Sequence, residues 1–234
     1  MKMLVICLTI VLAPLGKAAG LNSTGAIVGT LTGDGGVSIA AGIVTLQLQP
    51  PYPKSRFLQT VWDVQSGSDG SFRFDQLNDG TYRLCAQVPK SAWLNPCQWG
   101  LQAPIVTLST ANPSATVAVA LKTGAVVPIR VDDPGQLLTH YEGTVPGAHL
   151  LIGIGTDARV FMPAAVISQD SGGRNQQVVV PFNSAVKLVV FSSQFQLSSS
   201  GIPLPRASST IPIGVPSGQT PPTIVLQVTG RSAP

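Results

Sequence analysis

Charged residues are scarce in this 234-residue chain. Lysine, arginine, aspartate and glutamate together make up 10% of it, whereas soluble domains usually contain about 25%. Glutamate occurs once, as Glu142. Outside the N-terminal segment there is no long apolar stripe with the three-to-four-residue spacing of an amphipathic helix. These absences argue against a helical protein and against a strongly charged surface.

The basic residues do not form a patch. The 14 lysines and arginines include Lys2 and Lys17 near the N-terminus, so 12 remain against 10 acidic residues. They are scattered singly, without the basic stripe that is typical of a nucleic-acid-binding face. We therefore expect no nucleic-acid partner.

Histidine is also rare, which restricts the catalytic chemistry that the chain can support. The two histidines are His140, predicted in a loop, and His149, at the start of an apolar strand. Glu142 follows His140 closely and Asp132-Asp133 precedes it, as a base with an orienting acid would require. However, the sequence contains neither a G-x-S-x-G nucleophile elbow nor an H-E-x-x-H or paired-histidine metal motif. We interpret these residues as solvated loop residues and predict a non-enzymatic protein without catalytic residues or a cofactor.

Three aspartates, Asp69, Asp75 and Asp79, are close enough in sequence to be considered as ligands for a hard cation. Such ions need several oxygen atoms that converge on one loop, but these three occupy different turns. Asp69 and Asp79 each precede a glycine, where an aspartate carboxylate usually bonds the backbone of its own turn. The pattern predicts turn formation and no metal site.

The N-terminus has the character of a targeting segment. Lys2 precedes the apolar run Leu4–Leu15, and Gly16–Gly20 supplies small residues for cleavage. The run is shorter than the ~20 apolar residues that span a bilayer. We predict a signal peptide over residues 1–19; the alternative is an uncleaved anchor. The mature chain is then expected to be secreted or periplasmic, with no membrane-spanning segment after cleavage.

Two cysteines follow this segment, Cys85 and Cys97. An even number in an exported chain favours a disulfide, which would tie the loop from Gln87 to Pro96 to the strand that carries Cys85. The alternative is a pair of reduced, buried thiols. The sequence has no C-x-x-C spacing and no third ligand nearby, which argues against zinc.

The chain is rich in turn-forming residues and in segments where apolar and polar residues alternate. There are 24 glycines and 20 prolines, spread along the sequence. The organising stretch is Ser68–Pro89, in which Asp69-Gly70 and Asn78–Gly80 are turn signals. Apolar and polar residues alternate after each turn, as in a half-buried strand. We interpret this stretch as a hairpin-like pair of strands at the centre of a small β-sandwich.

Further strands are predicted on both sides of this pair, which gives an all-β chain. With the central pair they make about seven in roughly a hundred residues, the number expected for an immunoglobulin-sized sandwich. The predicted flanking strands lie at residues 25–31, 43–48, 57–64, 105–108 and 115–121.

The order of these elements resembles the carboxypeptidase regulatory-like domain. The shared features are a first strand with a glycine-rich turn, a V-T-L strand, the D-G-S-F sequence Asp69–Phe72, and the set Leu77, Gly80 and Tyr82. The resemblance covers about residues 25–121 and implies a prealbumin-like (transthyretin-like), Ig-like antiparallel sandwich, related to Cna protein B-type and carbohydrate-binding-like folds. That domain is a non-catalytic appendage of zinc carboxypeptidases, so the resemblance implies no active site.

The segment Cys85–Gly100 is similar to a version found in exported bacterial proteins. The Cna B-type relatives form an internal Lys–Asn bond with the help of an acidic residue. This chain has no lysine in its first strand and no glutamate in its first half, so the resemblance does not extend to that bond.

We predict two domains after the signal peptide, a sandwich over residues 23–121 and a second, more degenerate sandwich over 123–230. The turn Asp170–Gly173 and the strands after it echo the central stretch of the first half, as a duplication would. Residues 192–222 are rich in serine, proline and glycine and are expected to form a largely mobile loop with one short strand near 211–215.

Aromatic side chains are the candidates for ligand binding. Trp93 and Trp99 flank Cys97 in one loop, and Tyr52 and Trp62 lie earlier. An indole face stacks well on a sugar ring, and loops at the ends of sandwiches often carry binding sites. The alternative is that the indoles pack over the open end of the core.

The sequence therefore favours a non-enzymatic exported module with a structural, adhesion or envelope-interaction role. Its partner is expected to be an unidentified protein or polysaccharide at the cell envelope. The alternative is a carbohydrate-binding module that uses the loop of Trp93 and Trp99.

Overall fold

The computed structural model describes residues 25–49, 60–146, 148–155, 161–205 and 207–232. The predicted signal peptide over residues 1–19 lies outside this range, as do Tyr52 and the start of the predicted strand 57–64. Within the described part of the chain, no helix is both long and apolar enough to cross a membrane.

The first half of the chain forms a sandwich of two facing sheets, with strand orders β4-β1-β8 and β3-β2-β5-β7. A 3₁₀ turn at Asp34–Gly36 follows β1, and the two-residue strand β6 belongs to neither sheet. The strands are β1 (Gly25–Thr32), β2 (Ile43–Leu48), β3 (Val61–Gln65), β4 (Ser71–Leu77), β5 (Gly80–Gln87), β6 (Trp93–Leu94), β7 (Ile105–Leu108) and β8 (Ser114–Ala120). The predicted sandwich is therefore confirmed, except that β8 runs parallel to β1, whereas an antiparallel sandwich is predicted.

The two strands of the central stretch do not form the hairpin-like pair that the sequence predicts. β4 pairs with β1, whereas β5 lies in the opposite sheet between β2 and β7. The chain changes sheet at residues 78–80, where the fully buried Tyr82 donates its hydroxyl hydrogen bond to the Asn78 carbonyl oxygen at 2.7 Å. A tyrosine of this kind holds a corner between two sheets. Both strands alternate because both face the same core, so the alternation does not reveal which sheet each one joins.

The second half forms a larger sandwich. Its sheets have the orders β13-β14-β10-β19-β16-β17 and β12-β11-β15-β18. Its elements are β10 (Ala125–Asp132), α1 (Leu137–Tyr141), β11 (Leu150–Gly155), β12 (Phe161–Pro163), β13 (Ala165–Asp170), β14 (Gly173–Val180), β15 (Ala185–Ser192), β16 (Phe195–Ser199), β17 (Ile202–Pro203), β18 (Ala207–Gly214) and β19 (Ile224–Arg231). The two-residue strand β9 (Lys122–Thr123) connects the two halves.

Seven strands of each sandwich share one order, and the second sandwich adds β13, β16 and β17 at the two ends of its larger sheet. β10 lies between antiparallel β14 and parallel β19, as β1 lies between antiparallel β4 and parallel β8. The order β12-β11-β15-β18 in turn matches β3-β2-β5-β7. The turns that echo each other in the sequence, Asp69-Gly70 and Asp170–Gly173, precede the equivalent strands β4 and β14. This shared order is what an internal duplication would produce.

Residues 192–222 are not the largely mobile loop with one short strand that the sequence predicts. They contain β16, β17 and β18, and β18 pairs with β15 along its whole length. Phe195, Leu197, Ile213 and Val215 from this segment are buried in the second core. For β18 the prediction is wrong because this is an edge strand, and such strands accept proline, here Pro212. Ser209 of β18 and Ser198 of β16 are buried, which their residue type does not indicate.

Each sandwich encloses a hydrophobic core of its own. The first core is built from residues between Ile27 and Leu121, and the second from residues between Ala125 and Val228. The short connection between them, residues 122–124, is where the candidate site lies.

Candidate functional site

A disulfide shapes the loop that leaves β5. Cys85 and Cys97 are bonded, with their Cα atoms 5.5 Å apart, which confirms the predicted disulfide and excludes the pair of reduced thiols. Cys85 is on β5 and nearly fully buried, so the bond holds the end of the loop against the first sandwich. The loop returns over the connection between the two sandwiches.

The loop and the connection pair with each other as two short strands. In this pair, β6 runs antiparallel to β9, and the Gly124 backbone N–H donates to the Ala92 carbonyl oxygen at 2.8 Å. Asp34, in the turn after β1, accepts a hydrogen bond from the Thr123 backbone at 2.8 Å and lies 3.3 Å from the Lys122 ammonium. The hydrogen bonds from Thr123 hold the pKa of Asp34 below its usual value. The connection is therefore held by both the loop and the first sandwich.

The two indoles of the loop contact different cores. Trp93 is partly buried and packs against the first core. A Cβ atom added at Gly33 would lie 2.2 Å from the outer edge of the Trp93 ring, so a larger residue there requires the indole to shift. Trp99 is also partly buried but packs against the second core. The predicted alternative, in which the indoles pack over a core, describes Trp93; Trp99 instead reaches across to the other sandwich.

Trp62 is not part of this arrangement. Trp62 packs against the first core, with its ring centre 6.0 Å from that of Tyr82. Tyr52 lies outside the described residues. Of the three candidate aromatic residues that the structure describes, it thus brings together two, Trp93 and Trp99.

A cleft of about 290 Å³ lies between the sandwiches, and both Trp93 and Trp99 line it. Lys90 and Ser91 of the loop line it. Its other polar groups are amide side chains, from Gln87 at the end of β5, from the loop and from β14 in the second sandwich. Those from the loop and β14 are Asn95, Gln98 and Gln177. Aromatic faces beside amide, hydroxyl and ammonium groups suit a polar ligand such as a sugar.

His140 belongs to a short helix, α1. This residue lies on the helix rather than in a loop. The carboxylate of the buried Asp133 accepts the backbone N–H groups of Leu137 and Leu138, the first two residues of the helix, at 2.9 and 2.8 Å. Asp133-Pro134-Gly135 is by itself a turn signal, so the residue pattern before this short helix does not predict it.

The acidic residues near His140 have structural partners. The two carboxylate oxygens of Glu142 accept from the Leu150 backbone N–H at 2.9 Å and from the Arg174 guanidinium at 2.6 Å. Asp132 accepts from Arg130 at 2.8 Å. The His140 Nδ1 atom lies 2.7 Å from the Gln136 carbonyl oxygen, and His149 is exposed before β11. Each of these carboxylates is thus committed to an arginine or to the backbone.

Arg130 also holds Asp170 at the turn between β13 and β14. Its guanidinium donates two hydrogen bonds to this carboxylate, at 2.6 and 2.9 Å. These bonds and the Gly172 backbone N–H lower the pKa of Asp170 to about 2, so the carboxylate stays charged at any physiological pH.

Each of the three aspartates considered as cation ligands has a different bonding partner within the protein. Asp69 accepts the Ser71 backbone N–H at 2.9 Å, which is the predicted turn bond. Asp75 pairs with Arg73. Asp79 differs from the prediction, since it accepts hydrogen bonds from the backbone and hydroxyl of Thr110 in a distant turn. Over the part of the chain that the structure describes, no three His, Cys, Asp or Glu side chains are placed to hold a metal ion.

Comparison with known proteins finds likeness only among solved structures. No family model matches the chain, and no curated protein matches it. The minor pilin GBS52 of Streptococcus agalactiae is 12% identical with a TM-score of 0.41, over 90% of this chain and 98% of the pilin. The shaft pilin SpaA of Lactobacillus rhamnosus is 13% identical with a TM-score of 0.32, over 90% of this chain and 100% of the pilin.

Two further matches differ in extent. The Bacillus anthracis TIE protein is 7% identical with a TM-score of 0.32, and this chain spans 34% of its length. A protein of Pseudomonas aeruginosa described as a putative carbohydrate binding protein is 19% identical with a TM-score of 0.28, over 45% of this chain and 92% of that protein. None of these likenesses is strong enough to show a family, and the carboxypeptidase regulatory-like domain remains a resemblance in sequence.

Proposed function

We propose that this chain is an exported, non-enzymatic structural module whose two sandwiches carry tension in series, in an adhesion or envelope role. The observation that supports it is the position of the first and last strands. β1 and β8 are parallel neighbours over seven residue pairs, and β10 and β19 are parallel neighbours over four. Force that enters at the start of β1 and leaves at the end of β8 therefore slides the two strands along each other.

A parallel pair of strands resists force most strongly when the force acts along the strands and slides one past the other. The hydrogen bonds between parallel strands are evenly spaced, so the force is shared among them and they must break together. An antiparallel pair pulled apart from one end instead loses its bonds one at a time. The same arrangement in both sandwiches favours a role in which the chain is pulled by its ends.

The connection between the sandwiches is also held in place. Tension passes from β8 to β10 through residues 121–124, which are held by β6 and by Asp34. The disulfide ties that loop covalently to β5, and disulfides persist in oxidising compartments such as the cell exterior and the periplasm. We place the domain boundary at Lys122, between the two hydrophobic cores, and expect a protein or polysaccharide partner at the envelope.

Single-molecule pulling tests this proposal through its dependence on direction. The full chain attached at its two ends is expected to unfold its first sandwich at a clearly higher force than the same chain attached at its N-terminus and at Asn78. Asn78 is exposed and adjoins Leu77, which pairs with Gly25, so the second geometry opens the β1–β4 pair from one end. Equal forces in the two geometries would contradict the proposal.

The cleft between the sandwiches supports a second candidate function, carbohydrate binding. The specific observation is that Trp93 and Trp99 share one cleft with several amide side chains. Titration of the purified protein with a panel of soluble oligosaccharides is expected to give saturable binding. Replacing the exposed cleft residue Gln98 with alanine should weaken it several-fold, because each lost hydrogen bond contributes about 1 kcal/mol.

A matched control for this titration is Gln102→Ala, since Gln102 is also exposed in the same loop but does not line the cleft. Equal losses in both variants, or no binding by the parent protein, would remove the carbohydrate hypothesis and leave the structural one in place.

A further inference from the structure

The free edges of the sheets differ in how well they are protected against pairing with another strand. Exposed edges are usually blunted by short length, charge, proline or a bulge. β17, β12 and β7 have only two, three and four residues. β3 and β4 carry charged side chains, β13 contains a bulge and β18 contains proline.

β8 has none of these protections. Its seven residues, S-A-T-V-A-V-A, include no charge and no proline, and its register with β1 runs without a bulge. Among the described residues it is the last strand of its sheet. It is therefore the one long edge strand described here that is open to pairing.

The hydrogen bonds at the two ends of the β1–β8 pair fix which backbone groups of β8 are free. Ala26 N–H donates to the Pro113 carbonyl oxygen at 2.9 Å, and Leu121 N–H donates to the Thr32 carbonyl oxygen at 2.7 Å. In a parallel ladder with this register, the odd-numbered residues of β8 bond to β1. The N–H and C=O groups of the even-numbered residues then point away from the sheet. These residues are Ser114, Thr116, Ala118 and Ala120, and all four are exposed.

We propose that β8 pairs with β8 of a second copy of this chain, antiparallel and about a two-fold axis at Val117. This register places Thr116 opposite Ala118 of the partner subunit, and Ser114 opposite Ala120 of the partner subunit. Each free N–H then faces a free C=O, because all four are even-numbered residues. The result is a continuous six-stranded sheet made from two copies of β4-β1-β8.

The side chains of β8 favour this occupant over another protein. Those on the outer face are small and uncharged, so two copies approach without steric conflict or charge repulsion. On the inner face Ala115 and Val117 are only partly buried, and a second copy would cover them. Since every free group of β8 finds its complement on the same strand of another copy, no second protein is required. This inference rests on the sheet edge and is independent of the proposed function.

Sedimentation equilibrium of the purified protein over a wide concentration range tests this pairing. The protein is expected to form a dimer, and Ala118→Pro is expected to raise the dimer dissociation constant about tenfold or more. Proline removes the N–H that faces the partner but leaves the bonds of Val117 and Val119 to β1 intact. The matched control Ala118→Ser keeps the N–H and should dimerise like the parent protein.

Three results would overturn the proposal. One is a parent protein that stays monomeric at every concentration. Another is a folded Ala118→Pro variant that dimerises as tightly as the parent. The third is a monomeric protein that instead binds an added peptide of extended sequence at β8, detected by amide hydrogen exchange of Thr116 and Ala118. If circular dichroism shows that Ala118→Pro does not fold, Thr116→Lys decides, because it brings two positive charges close to the two-fold axis and should also weaken the dimer.

Discussion

Replacing both Cys85 and Cys97 with serine is expected to lower the free energy of unfolding of the first sandwich by about 3 kcal/mol. The two residues are 12 positions apart, and closing a loop of that size removes this much free energy from the unfolded chain in the chain-entropy model. Urea denaturation followed by circular dichroism measures the loss. Treating the parent protein with a thiol reductant should give the same shift, and the variant should not respond to the reductant.

The same substitution should also loosen the contact between the sandwiches. Without the bond, the loop of Trp93 and Trp99 is held by β6 and by packing against the two cores. The tryptophan fluorescence of the folded variant is therefore expected to shift to longer wavelength. A loss below about 1 kcal/mol together with unchanged fluorescence would show that the disulfide does not support the joint.

Gly173→Ala is expected to destabilise the second sandwich by about 3 kcal/mol or more. Gly173 has a backbone φ of +147° at the start of β14, a conformation that is almost restricted to glycine. An added Cβ atom would lie 1.9 Å from the Val131 carbonyl oxygen. Since that oxygen belongs to the backbone of the central strand β10, it cannot move aside without disrupting the sheet.

The adjacent Gly172 provides the matched control for this substitution. A Cβ atom added there would lie 3.5 Å from the nearest atom, a carboxylate oxygen of Asp170, which is an ordinary contact. Gly172→Ala should therefore change the free energy of unfolding by about 0.5 kcal/mol or less. Similar losses for the two variants would show that the turn at residues 170–173 is not built as described.

Local patterns in the sequence predicted the strands well because each strand carries its own signal. Phe72 and Phe74 alternate with polar residues after the Asp69-Gly70 turn, and that is enough to predict β4. The partner of a strand is not encoded locally. The separation of β4 and β5 into opposite sheets depends on the corner held by Tyr82, whose hydroxyl bond is visible only in three dimensions.

In the candidate site, too, the sequence predicts what depends on local signals and misses what depends on contacts between distant residues. The pairing of Cys85 with Cys97 follows from their number and the predicted compartment. By contrast, Asp34 bonds Thr123 across 89 residues, and Gln177 reaches the cleft from the second sandwich. Trp99 packs against a core to which its own half of the chain does not belong. No pattern within a short window reveals contacts of this range.

Backbone ¹⁵N relaxation of the full chain tests most directly the central claim that the connection between the two sandwiches is held by the loop and by the first sandwich. If the joint built by β6, β9 and the disulfide-closed loop is rigid, residues of β1 and of β10 should report the same rotational correlation time, that of the whole chain. In the variant with serine at positions 85 and 97, neither correlation time should become longer, and the values for β1 and β10 should differ from each other. Two distinct, shorter correlation times in the parent protein would contradict the account, because the connection would then be flexible and not held by the loop and the first sandwich.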